Sequence, residues 1–227
     1  MALTLVIGNK NYSSWSLRPW LLMVERRIRF EEQRLRLDFA EGSPFRQALA
    51  AISPAGRVPV LLDEGFAVWD SLAIVETLAE KFPQAGVWPR DARARARARS
   101  VCAEMHSGFG ALRRHCPMNV EAHLPDVGRQ VWAAQADVRA DLQRIDTLWC
   151  DALQGSGGPF LFGEFCAADA FYAPVALRVR TYGLPLSAPA QAYADRLLDT
   201  EGARRWIAEA LAERDFLAED EPYRQAP

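Results

Sequence analysis

The spacing of apolar positions changes character along the chain. "LTLVI", residues 3–7, is a short apolar run and reads as a strand. "SWSLRPWLLMVERR" follows as a helix, with Trp15, Leu22 and nearby apolar residues on one face. "FEEQRLRL" alternates and predicts a strand at a sheet margin. Ser43-Pro44 is a helix-start signal, and a short helix is predicted over residues 44–51. Two further strands are joined by the turn Asp63 to Gly65. A helix from about Ser71 to Phe82 turns Ile74, Val75, Leu78 and Phe82 inward. The order is βαβ, one helix, then ββα, a small α/β layer of roughly 80 residues.

The texture then changes. "PQAGVWP", residues 83–89, is a Pro/Gly linker, and no convincing strand follows it. Helices are predicted over 90–115, 127–154, 166–181, 190–199 and 202–213. In the second of these, Val131, Val138, Leu142, Ile145 and Trp149 recur at helical spacing, and "GSGGP" ends it. The expected division is an α/β domain over 1–82, a linker over 83–89 and an all-α domain over 90–227.

Composition narrows the classes without choosing among them. The chain has 227 residues, half of them apolar and a quarter charged, with a net charge of −2. That balance gives no sign of nucleic acid or an anionic membrane as partner. The N-terminal run lacks a basic leader, and no apolar run approaches membrane-spanning length, so a cytoplasmic location is expected. Cys102, Cys116, Cys150 and Cys166 are irregularly spaced and fit neither a zinc site nor a disulfide framework. His106, His115 and His123 also lack ligand spacing, so no metal is expected. "RDARARARARS", residues 90–100, spreads arginines around a helix. It reads as a solvated face rather than an anion patch, and it lacks the aromatic interleaving that stacks on bases.

Two local features stand out. Pro59 sits at the head of a strand, where it cannot donate a ladder hydrogen bond. Asp70 and Ser71 stand together where the next helix begins. Taken with "SSWSLRPWL" (13–21), "SPAGRVPVL" (53–61), "DSLAIVETL" (70–78) and "GEFCAADAFYAPV" (163–175), these features resemble the cytosolic glutathione transferase superfamily over almost the full length. The resemblance is to serine-type members of the zeta and theta kind. It implies a thioredoxin-like N-terminal domain followed by an all-α C-terminal domain.

The resemblance also implies a site. The Val58-Pro59 bond would be cis, turning the Val58 N–H and C=O toward a cleft where glutathione could pair as an added strand. Ser71 would offer its hydroxyl and N–H to the γ-glutamyl carboxylate at a helix N-terminus, and Asp70 would take the adjacent ammonium. The plain alternative is that Asp70 and Ser71 only cap the helix. Arg57 would face the other end of the peptide, or stand as an ordinary surface arginine.

The implied chemistry needs a thiolate, and a free thiol with a pKa of about 8.5 is only slightly ionised at neutral pH. A hydroxyl at the start of the first helix would favour the charged sulfur. Tyr12, Ser13, Ser14 and Ser16 are on offer. Serine-type members place the catalytic serine four residues before an arginine, which selects Ser14 ahead of Arg18, with Ser13 as its neighbour and Tyr12 as a further alternative. All of these serines could instead serve only as caps.

Some residues depart from the pattern. Trp15 stands where the zeta class carries cysteine, and the first 82 residues contain no cysteine. Both facts argue against a protein-thiol mechanism and weaken a maleylacetoacetate isomerase assignment. The core-helix capping box is Cys166 to Asp169, so Asp169 is expected to carry more of the capping. The expected function is attack of bound glutathione thiolate on a small hydrophobic electrophile. The second-substrate pocket is expected near Trp15, Met105, His106, Phe109 and Arg113, although core packing explains these residues as well. A glutathione-dependent isomerase, dehalogenase or lyase is the alternative, as is a non-catalytic interaction protein of the same fold. Resemblance also implies a homodimer.

Overall fold

A computed structural model describes residues 3–225. Strands β1 (Leu3–Ile7), β2 (Glu31–Arg34), β3 (Val60–Asp63) and β4 (Phe66–Trp69) form one mixed sheet in the order β2-β1-β3-β4. β1 and β2 are parallel, joined by helix α1 (Ser14–Glu25), while β3 is antiparallel to both β1 and β4. The β3–β4 turn places Glu64 and Gly65 at φ 52° and 87°, the geometry a two-residue hairpin turn requires.

The two faces of the sheet follow the period-two alternation of side chains. Leu3, Leu5, Ile7 and Leu61 face the main core, beside α1 and helix α3 (Ser71–Lys81). Val6 and Val60 face the other way, onto Phe45 and Leu49 of helix α2 (Pro44–Ala50). β2 is shorter than the predicted 30–37 and exposed throughout. It pairs on one side only, and its charged residues suit a sheet edge.

Among the described residues seven α-helices follow: α4 (Ala92–Ser107), α5 (Gly110–His115), α6 (Pro125–Ala134), α7 (Ala136–Ser156), α8 (Ala167–Tyr182), α9 (Ala188–Leu198) and α10 (Glu201–Glu213). The fold is the expected one, an α/β layer followed by helices. The segment 90–115, expected as one helix, is two. Gly108 caps α4, and Phe109 takes φ 54° before α5 begins. The segment 127–154 is likewise divided at Gln135, which has an extended ψ of 95°. Val131 and Val138 lie seven residues apart, two helical turns, so the apolar periodicity runs through the break. Among the described residues no helix is long and apolar enough to cross a membrane.

α8 is buried along almost its whole length, and α1 packs against it. Asp169 anchors its start. Its carboxylate accepts from the Cys166 N–H at 2.8 Å, the Leu161 N–H at 3.1 Å and the Tyr193 hydroxyl at 2.9 Å. α10 packs on the far side of α1, where Trp20 and Trp206 meet edge to face at 5.1 Å.

The loop after β1 is held from several directions. Lys10 Nζ pairs with Glu32 and Glu209, and the Trp206 indole donates to the Lys10 carbonyl. Asn9 donates to Asp215, and the Asn11 side chain accepts from the Glu121 N–H. This loop delivers the chain to the start of α1.

Candidate functional site

Two adjoining clefts open beside the start of α1, and both are lined by Trp15, Arg57 and Val58. The smaller, about 280 Å³, is also bounded by Pro59, Asp70, Ser71 and His106. The larger, about 370 Å³, is also bounded by Tyr12, Ser13 and Ser14 and by Arg113, Met118 and Arg178.

The Val58–Pro59 peptide bond is cis. Neither the N–H nor the C=O of Val58 has a hydrogen-bond partner among the described residues. An unpaired main-chain donor and acceptor beside a cleft is what a peptide needs in order to add itself as a strand.

Asp70 has φ 75° and ψ 133°, a conformation that costs a non-glycine residue about 1–3 kcal/mol. It caps α3, its Oδ1 accepting from the Leu72 N–H at 2.8 Å. Its Oδ2 lies 3.3 Å from His106 Nε2. Burial pushes the His106 pKa down, with Asp70 opposing, and His106 Nδ1 is buried without a partner among the described residues. Ser71 is 1% exposed, and its hydroxyl also has no partner. Capping alone accounts for Asp70. It leaves unexplained a buried hydroxyl on the first turn of α3.

The hydroxyls at the start of α1 are in different situations. Ser13 donates to Ser16 Oγ at 2.7 Å, and Ser16 Oγ also accepts from the Gly8 N–H. Tyr12 donates to Glu221 at 2.8 Å, and burial, followed by this hydrogen bond, pushes its pKa up to about 12. The Ser14 hydroxyl has no partner among the described residues, and the residue is 8% exposed on the cleft wall.

The remaining predicted residues are scattered. Trp15 stands between the two clefts, edge to face with His106 at 5.0 Å. Arg113 lines the larger cleft and His106 the smaller. Met105 is wholly buried in the core, and neither Met105 nor Phe109 lines either cleft. Sequence reasoning missed Arg178 and Asp220. An arginine inside the otherwise apolar run "FYAPVALRV" was a readable signal. Asp220 is brought to the cleft by the path of the C-terminal segment, which leaves no local signature.

The sequence profile of the family described as "Glutathione S-transferase, N-terminal domain" matches residues 12–81. Mouse (Mus musculus) glutathione S-transferase theta-1 is 37% identical over 81 residues, 35% of this chain and 32% of that protein. The chain thus spans about a third of the length of that relative. Rat (Rattus norvegicus) maleylacetoacetate isomerase is 26% identical over 176 residues, 77% of this chain and 78% of that protein. A Burkholderia glutathione transferase homologue, solved with bound glutathione, superposes with a TM-score of 0.70 at 21% identity, covering 92% of this chain and 98% of that one. With the fold, the residue motifs and these likenesses in agreement, residues 12–81 belong to the glutathione S-transferase N-terminal domain family, and the chain as a whole has the glutathione transferase fold.

Proposed function

We propose that this protein is a glutathione transferase that activates the glutathione thiol through the hydroxyl of Ser14. The observation that carries the reading is a set of groups without protein hydrogen-bond partners around the two adjoining clefts: the Ser71 hydroxyl in the smaller, the Ser14 hydroxyl in the larger and the Val58 main chain in both. In this reading Ser71 and the α3 N-terminus receive the γ-glutamyl carboxylate, Asp70 receives the ammonium, and Val58 pairs with the cysteinyl unit. Arg57, exposed and lining both clefts, faces the glycyl end. Ser13 orients the loop through Ser16 and stands behind Ser14.

The sulfur then lies near the start of α1. Donation from Ser14 favours the thiolate over the thiol, and lowering the thiol pKa by about two units corresponds to roughly 2.7 kcal/mol. The thiolate lone pair forms the new S–C bond. The leaving group departs with its bonding pair, or a conjugated double bond passes its electrons to a neighbouring carbonyl and is then protonated. The rest of the rate comes from holding the two reactants together. The addition route also serves isomerisation, a second reading favoured by the length of the match to the rat isomerase. Free cysteines, three of them buried, suit a reducing cytoplasm. The expected assembly is a two-fold dimer, checked by light scattering at micromolar concentration.

The test of the reading is calorimetry with glutathione. Wild type should bind, and Ser71→Ala and Asp70→Ala should each lose about 1–3 kcal/mol with their thermal unfolding little changed. Absence of binding by the wild type, or wild-type affinity retained in both variants, rejects the assignment.

A further inference from the structure

One residue of the loop before α1 is gripped at every polar group it carries, and by one face of one helix. Trp206, Glu209 and Glu213 stand at i, i+3 and i+7 on α10, a single stripe. The Trp206 indole donates to the Lys10 carbonyl at 2.9 Å. Glu209 pairs with Lys10 Nζ. Glu213 Oε1 accepts from the Lys10 N–H at 2.8 Å. Glu32 on β2 also pairs with Lys10 Nζ, at 2.7 Å, and the ammonium lies 4.7 Å from the Trp20 ring and 5.3 Å from that of Trp206. The Lys10 and Glu213 side chains are 3% and 4% exposed.

Glu213 is the centre of this grip. Its Oε2 accepts from Asn9 Nδ2 at 3.3 Å and from the Asn11 N–H at 3.4 Å, and its Oε1 meets Arg34 of β2 at 2.8 Å. The carboxylate thus collects three successive residues of the loop, two of them by their main chain. The loop passes that fixed position on to α1. The Asn9 carbonyl accepts from the Tyr12 and Ser13 N–H groups at 3.2 and 2.8 Å, and the Tyr12 carbonyl accepts from the Ser14 N–H at 2.9 Å. The Ser14 hydroxyl makes no bond of its own among the described residues, so its place is set by the main chain that carries it.

A buried ion pair is a weak source of stability, and apolar packing of the same volume commonly does as well. What a buried and fully bonded carboxylate adds is a fixed place for the groups it bonds. A catalytic group has to be held to within about 0.5 Å of its working position. We propose that Glu213 is a positioning residue for the Ser14 hydroxyl: through the loop 8–13 it holds that hydroxyl where the glutathione sulfur comes to lie. This rests on the reading of Ser14 as the thiolate's partner. It gives α10 a part in the reaction although Glu213 lines neither cleft.

The test is thiolate absorbance of the binary complex against pH for wild type, Glu213→Gln, Glu213→Ala, Ser14→Ala and the double variant Ser14→Ala with Glu213→Gln. The sign of the shift is informative. Removing a carboxylate acts through charge alone by easing the thiolate and lowering its pKa, whereas displacing a hydroxyl donor raises it. Glu213→Gln keeps the size and one acceptor oxygen, so it should fold. It should raise the pKa of bound glutathione by about 0.5, a roughly threefold change in the ratio of thiolate to thiol. Glu213→Ala should raise it further. Turnover should fall by a like factor, while glutathione affinity at low pH, where the bound thiol is protonated, should stay within about twofold. In the Ser14→Ala background Glu213→Gln should add nothing. Asp91→Ala removes the side chain that caps α4 through the Ala94 N–H and is the control for stability alone: its Tm should fall and its titration should stay. An unmoved or lowered pKa in Glu213→Gln overturns the proposal and leaves Ser14 standing if Ser14→Ala moves the titration. A shift retained in full in the double variant also overturns it, because Glu213 would then act through another group. An unmoved titration in Ser14→Ala removes the serine reading and this proposal with it.

Discussion

Ser13 gives its hydroxyl to Ser16 and Tyr12 gives its own to Glu221, while the Ser14 hydroxyl is uncommitted at the cleft wall. If that hydroxyl donates to the sulfur, Ser14→Ala should raise the pKa of bound glutathione toward its solution value of about 8.5. Turnover should fall more than affinity, because the bond favours the charged sulfur and not the peptide. Ser13→Ala should shift the titration less. The measurement is thiolate absorbance of the binary complex against pH, and an unmoved titration in Ser14→Ala removes serine from the mechanism. At this scale the family resemblance pointed to Val58, Pro59, Asp70 and Ser71, and all four line the smaller cleft because each adjoins a strand end or helix start. The sequence itself could not separate Ser14 from its neighbours, because what distinguishes them is a bond to Ser16 and another to a residue over two hundred positions away.

Helix α8 is the element on which both parts of the molecule lean, and its start depends on Asp169. Asp169→Ala strands the Cys166 and Leu161 N–H groups and the Tyr193 hydroxyl. At about 1–3 kcal/mol for each buried group left unpaired, a loss of about 3 kcal/mol or more is expected in denaturant unfolding. Burial, against the pull of its donors, raises the Asp169 pKa to about 6. A carboxyl with a higher pKa folded than unfolded holds its proton more tightly in the native state. Its contribution to stability is therefore greatest below about pH 4 and declines as pH rises to about 6. The stability difference between wild type and Asp169→Asn should shrink over that interval, and a difference that grows there contradicts the assignment. Gly128 on α6 meets α8 so closely that a Cβ would lie 1.7 Å from the Tyr182 carbonyl oxygen, so Gly128→Ala should cost about 1–3 kcal/mol or more. Element types were legible from periodicity, and Asp169 from its place three residues after Cys166. The breaks at Phe109 and Gln135 were hidden. One falls beside a single glycine and the other between two apolar residues that stay in phase.

Across the whole molecule, the two ends of the chain meet at the site. The loop 8–13 is bonded to Glu213, Asp215, Leu217 and Glu221, and Tyr12 lies at the centre of that contact. Its hydroxyl donates to Glu221 and accepts from the Leu217 N–H, while Glu221 also receives Asn119 and Arg224. No local pattern encodes such a contact, which is why Tyr12 stands in the sequence as one alternative to Ser14 and in the structure as a tie between loop and C-terminal segment. Tyr12→Phe keeps the ring and removes the hydroxyl. Glu221 retains its other partners, so the loss should be about 1–2 kcal/mol. For a chain of this length that lowers Tm by about 2–8 °C. A double-mutant cycle with Glu221→Gln should give a coupling of about 0.5 kcal/mol or more, as expected for two directly bonded side chains. The thiolate titration should stay at its wild-type position in Tyr12→Phe. A titration that moves while Tm holds would make Tyr12 the sulfur's partner and the C-terminal segment a bystander.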